Sequence, residues 1–156
     1  MAAGVSSRMK KALETGSETI DPKLIEEANT LPKCMLSVGP EGQRFIDYII
    51  HNAIEGWFHE IIIVLNPADT ITEAHIQKEI ATRNYDVVLQ VVRQLIPPER
   101  IKPWGTGDAV YQALRASGLK NTEWYSVSNA DNLCSVGALK KAYETTANTI
   151  FPYETK

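Results

Sequence analysis

Ile61-Ile62-Ile63-Val64-Leu65, closed by Asn66-Pro67, decides the fold. The run is short, apolar and mostly β-branched, and it does not alternate with polar residues. A strand with one wet face would alternate. This one predicts a strand buried on both faces, as in a parallel sheet covered by helices. Val87-Val88-Leu89-Gln90-Val91-Val92 and Trp124-Tyr125-Ser126-Val127-Ser128 read as two more strands. Helical spacing fills the intervals. Phe45, Ile46, Ile49, Ile50, Ala53 and Ile54 recur three and four apart, and Gly56 supplies a stop. Thr72 can cap a helix running through Arg83, with Ile76 and Ile80 on one face. Asp108 can cap another through Ser117, ended by Gly118, and Ser135 opens a fourth to about Ala147. Strand and helix in this alternation predict right-handed βαβ units, an α/β fold with a mainly parallel sheet and helices on both faces. Ligands of such sheets bind at the carboxyl ends of the strands.

The bulk properties narrow the partners. A chain of 156 residues fits one domain, taken as 1–156, with enough length to bury a core. Hydrophobic residues make up 44% and charged residues 22%, which is ordinary for a globular protein. A net charge of −3 argues against nucleic acid and against acidic membrane surfaces, both of which attract basic faces. No apolar run of membrane-spanning length occurs, and no secretory leader pattern opens the chain. Cys34 and Cys134 lack metal-ligand spacing, so a reduced, cytoplasmic protein is the simplest expectation. His51, His59 and His75 form no metal spacing and no nucleophile constellation; they read as solvated or core-edge side chains.

Three segments carry chemistry. Ala2-Ala3-Gly4-Val5-Ser6-Ser7-Arg8-Met9 is a loop of small residues that delivers one arginine. Backbone N–H groups at Ala3, Gly4, Ser6 and Ser7 can turn toward phosphate oxygens without side-chain collision. Arg8 adds a planar fork of donors that bridges two oxygens. The second segment, Lys102-Pro103-Trp104-Gly105-Thr106-Gly107-Asp108, brings bare backbone at Gly105 and Thr106 to the start of a helix. Trp104 beside it either stacks on a base or covers the end of the sheet. The third, Ser128-Asn129-Ala130-Asp131-Asn132, places one carboxylate just past a strand end. A single carboxylate there suits Mg²⁺, which commonly takes only one or two from protein and fills its shell with phosphate and water. The same four residues from Asn129 also suit an Asx turn.

In this order the segments resemble the nucleotidyltransferase family that includes the sugar-nucleotide pyrophosphorylases and related cytidylyltransferases. The resemblance implies a Rossmann-like, GT-A-like three-layer fold. It implies a nucleotide site formed by Ala3, Gly4, Ser6, Ser7, Gly105, Thr106 and Asn129. It assigns the reaction to Arg8, Lys33 and Asp131, with Asp131 holding Mg²⁺ as cofactor. Lys33, in Leu31-Pro32-Lys33-Cys34-Met35-Leu36, matches the family's lysine that neutralises charge on the triphosphate and the acceptor phosphate.

The implied activity is an Mg²⁺-dependent transfer of a nucleoside monophosphate from a nucleoside triphosphate to a phosphorylated small-molecule acceptor, with release of pyrophosphate. A sugar 1-phosphate is the first acceptor, for sugar-nucleotide biosynthesis. The alternatives are a cytidylyltransferase acting on a phosphorylated alcohol or a pterin, or a nucleotide-binding regulatory module without chemistry. The chain departs from the family at three places. Ser6 replaces a glycine, Arg100 stands where a base-reading glutamine is usual, and no second aspartate follows Lys140 in a convincing position. Residues 12–32 read as an insertion or a lid, with Asp21-Pro22 opening a short helix. The family's first strand is expected ahead of Met1 and its carboxyl-terminal part beyond Lys156; an open strand edge would also allow a homo-oligomer.

Overall fold

A computed structural model describes residues 21–83, 85–118 and 124–150. Helix α1 (Pro22–Thr30) leads through a 3-10 turn (Lys33–Met35) to α2 (Phe45–Glu55). Then come β1 (Glu60–Leu65), α3 (Thr70–Thr82), β2 (Val88–Arg93), α4 (Thr106–Ser117) and α5 (Val136–Glu144). β1 and β2 pair in parallel, from Glu60 opposite Val88 to Leu65 opposite Arg93, with α3 as the crossover. The chain is a mixed helix–strand structure around a small parallel sheet.

β1 explains its own sequence. Side chains alternate across a strand, so Ile61, Ile63 and Leu65 point one way and Ile62 and Val64 the other. Ile63 and Leu65 enter a core with Cys34, Met35, Ile46, Ile50, Ile76 and Ala130, contributed by the 3-10 turn, α2, α3 and the 130 turn. Val64, supported by Ile62, meets Ala109 and Ala113 of α4 on the opposite face. Both faces are dry, which is why the run does not alternate. Small alanines on α4 let that helix lie close to the strand.

Residues 124–128 depart from the expectation: among the described residues they join no strand ladder. Trp124, Tyr125 and Val127 stay 62%, 53% and 49% exposed. Alternation gives a segment the shape of a strand, but only a neighbour at hydrogen-bonding distance makes it one. The helix ends also differ in detail. Asp69, not Thr72, caps α3: its carboxylate accepts from the Thr72 backbone N–H at 3.0 Å and from the Thr72 hydroxyl at 2.8 Å. Thr72 is thereby free to sit fully buried, while Ile80 faces out. Gly105, not Asp108, stands at the N-cap of α4, at φ 107° where only glycine is comfortable. α5 stops at Glu144, short of Ala147, where Thr145 turns its hydroxyl back onto the Lys141 carbonyl at 2.7 Å. α1 follows its prediction, with the Asp21 carboxylate accepting from the Lys23 N–H at 2.9 Å. No helix among the described residues is long and apolar enough to cross a membrane.

Candidate functional site

Lys33 and Asp131, ninety-eight positions apart in the chain, meet at 3.6 Å between Nζ and Oδ2. The core brings them together. Cys34 and Met35, directly after the lysine, share the main cluster with Ala130, directly before the aspartate. Burying those three leaves the two charged neighbours side by side at the surface, 38% and 50% exposed. Asn129 completes the segment as a tight turn, its carbonyl accepting from the Asn132 N–H at 3.2 Å. The Asn-Ala-Asp-Asn stretch is therefore a turn, and one that presents its carboxylate to Lys33.

Gly105 and Thr106 lie at the start of α4, and among the described residues no hydrogen bond or ion pair joins them to the Lys33–Asp131 pair. A Cβ built on Gly105 or Gly107 would meet nothing within 4 Å, so the backbone there faces open space. Two glutamines that the sequence reading did not single out hold this turn in place. Gln94, only 1% exposed at the end of β2, donates its amide to Asp108 Oδ2 at 2.7 Å and to the Gly105 carbonyl at 3.3 Å. Gln112 donates to the same Asp108 oxygen at 2.8 Å and to the Leu95 carbonyl, while its own oxygen accepts the Leu95 N–H at 2.6 Å. Asp108 is thus a hub that ties the exit of β2 to the entrance of α4. The four-residue step from Asp108 to Gln112 signals half of this arrangement; Gln94 carries no local signal. Trp104 is 61% exposed, with the Arg100 guanidinium 4.0 Å above its ring.

Ala3, Gly4, Ser6, Ser7 and Arg8 lie outside the described residues. Among the described residues no group of three or more His, Cys, Asp or Glu side chains could hold a metal ion. Asp131 alone fits only an ion whose remaining ligands are phosphate and water oxygens, which is the habit of Mg²⁺. His75 is a core-edge side chain: its Nε2 lies 2.6 Å from Asp47 Oδ1, joining α3 to α2, while His51 and His59 are exposed.

Another ion-paired carboxylate, Glu27, lies six positions before Lys33 in the chain and pairs with Arg44. Glu27 Oε2 accepts from the Ser37 N–H at 2.8 Å, and Oε1 accepts from the Ser37 hydroxyl at 2.8 Å and from Arg44 at 3.0 Å. The Ser37 backbone N–H, then its hydroxyl and Arg44, hold the Glu27 carboxyl below its ordinary range. Burial pushes the Cys34 thiol, beneath Lys33, up to about 11, which keeps it protonated and unreactive. Comparison with family models, curated proteins and solved structures finds no match to this chain.

Proposed function

We propose that the protein is a nucleotidyltransferase of Rossmann-like, three-layer architecture. It would join a nucleoside monophosphate, taken from a nucleoside triphosphate, to a phosphorylated small-molecule acceptor. The carrying observation is the Lys33–Asp131 pair, because two residues chosen for opposite charges on the same phosphates stand 3.6 Å apart. The open backbone at Gly105 and Gly107 supports it as a place for a flat ring to approach. In the reaction an oxygen of the acceptor phosphate bonds to the α-phosphorus in line, and the bond from that phosphorus to the bridging oxygen of pyrophosphate breaks. The acceptor is already anionic near neutral pH, its second pKa being about 6, so no side chain needs to act as base. Lys33 neutralises the charge that builds on the phosphates, and Arg8 orients them with its two-point fork. Asp131 would hold Mg²⁺, which when bound supplies further neutralisation of phosphate charge.

A binding module without chemistry is the second reading. One observation favours it: among the described residues Asp131 belongs to no group of three or more His, Cys, Asp or Glu side chains that could hold a metal ion. Pyrophosphate release, measured over a panel of triphosphates and acceptor phosphates, separates the two. The enzyme reading expects release that needs Mg²⁺ and is lost in Asp131→Asn. Tight triphosphate binding with no release under any pairing would leave the module.

A further inference from the structure

Two fixed points bracket Lys33. Before it, Glu27 projects from the second turn of α1; after it, Ser37 and Arg44 form an antiparallel bridge. The Glu27 carboxylate takes both donors of Ser37 as well as the Arg44 guanidinium, all within 3.0 Å. One terminal nitrogen of Arg44 reaches further, to the Met35 carbonyl at 2.9 Å and the Ser37 hydroxyl at 2.8 Å. The ring of contacts thus closes around the 3-10 turn that Lys33 opens. Ala28, on the same helix as Glu27, is buried at 3% exposure. None of these groups makes a hydrogen bond or ion pair with Lys33 Nζ or Asp131. All of them restrain the backbone from which the lysine projects.

We infer that Glu27, with Ser37 and Arg44, is a positioning device that aims Lys33 at Asp131, making α1 a buttress of the charged pair. The inference rests on the proposed function for its purpose and on the contacts alone for its geometry. A lysine side chain has several rotatable bonds, so pairing it costs conformational entropy. Fixing the base of the chain lowers that cost without adding a contact to the ammonium group.

Competitive acylation of lysines by acetic anhydride, read by mass spectrometry on the intact folded protein, tests it without requiring turnover. Lys78 and Lys141, both exposed, are the internal references. In the wild type, Lys33 is expected to react more slowly than either. Asp131→Asn should raise the Lys33 rate severalfold, and Glu27→Gln should raise it in the same direction. Ser37→Ala, which keeps the backbone bond to Glu27, should give a smaller rise and remain folded. All three changes should leave Lys78 and Lys141 alone. Acceleration at every lysine in Glu27→Gln and Ser37→Ala would mean general loosening and would overturn the positioning role. So would an unchanged Lys33 rate in both, or in Asp131→Asn. In the pyrophosphate assay Glu27→Gln should lower kcat while leaving the triphosphate KM near its wild-type value. If the wild type releases no pyrophosphate, the proposed function fails, and the acylation pattern still decides the buttress.

Discussion

Trp57 holds a backbone conformation that costs a bulky residue energy: φ is 72°, in the left-handed region where glycine is the usual occupant. It closes α2 in a Schellman arrangement, the Phe58 N–H bonding the Ala53 carbonyl at 3.1 Å and the Trp57 N–H the Ile54 carbonyl at 3.0 Å. Its ring is held edge-on to Tyr143 at 6.1 Å, with Lys140 4.7 Å above it. Substitution should therefore invert the usual ranking of small residues. Trp57→Ala loses the ring and keeps the strain, whereas Trp57→Gly loses both, so urea unfolding should find the glycine variant more stable by about 1 kcal/mol. Equal stabilities would deny the strain. Cys34 offers a second test. Its folded-state thiol stays protonated to about 11 against an ordinary value of 9.0. Above pH 9.0 the unfolded chain sheds that proton while the folded one keeps it, so the contribution to stability falls with rising pH until the folded thiol also ionises near 11. Iodoacetamide at neutral pH should accordingly modify the half-buried Cys134 well before the buried Cys34. Equal labelling rates would show that the burial of Cys34 is transient. Residues were legible in the sequence where one local pattern sufficed, as at Asp21-Pro22. Trp57 was not legible, because Gly56 one step earlier advertises the same stop.

Gly56 has another task. Its φ of −82° suits any residue, yet a Cβ there would meet the Leu139 Cβ at 2.6 Å and the Asn52 carbonyl at 3.0 Å. The glycine lets α5 lie against the end of α2. Gly56→Ala should destabilise by about 1–3 kcal/mol, the usual penalty for forcing extra volume into a packed site. Adding Leu139→Gly, which removes the Cβ that would be struck, should recover part of that loss in a double-mutant cycle, and additive effects would exclude the close approach. At the other end of the chain, α1 depends on an ionised Glu27. Its carboxyl is held below the ordinary value of 4.5 first by the Ser37 N–H, then by the Ser37 hydroxyl and Arg44. The stabilisation is complete above that ordinary value and is lost as pH falls through the lower folded value. Amide exchange in 22–37 should therefore quicken under acid before that of β1 does, and Glu27→Gln should abolish the difference. Simultaneous loss of protection would mean α1 docks by its apolar face alone. Periodicity revealed the helices as elements, since the apolar positions repeat every turn. Their caps were less legible, because Asp69 and Thr72 both suit the role and only packing decides that Thr72 goes inside.

At the scale of the molecule, the sequence was most informative where a single strand had to satisfy two neighbours. Ile61 to Leu65 announced a doubly covered strand, and the structure gives it α2 and α3 on one side and α4 on the other. It was least informative where pairing depends on distant chain, as for 124–128, whose side chains alternate but find no ladder among the described residues. Of the candidate site, Lys33 and Asp131 come together because residues beside each share a core, a relation no spacing rule contains. Gly105 and Thr106 mark a helix start, one turn ahead of the Asp108 cap the sequence suggests, and Gln94, which helps to fix it, is invisible to local motifs. The sharing of β1 also governs how the molecule comes apart. Val64 and Leu65 are joined by one peptide bond yet are sealed by different helices, so neither seal can open alone without wetting the strand that serves the other. The two cores behave as one cooperative unit with β1 as the shared wall. Its amide hydrogens bonded to β2 should exchange last in the chain and all with a single opening free energy, that of global unfolding.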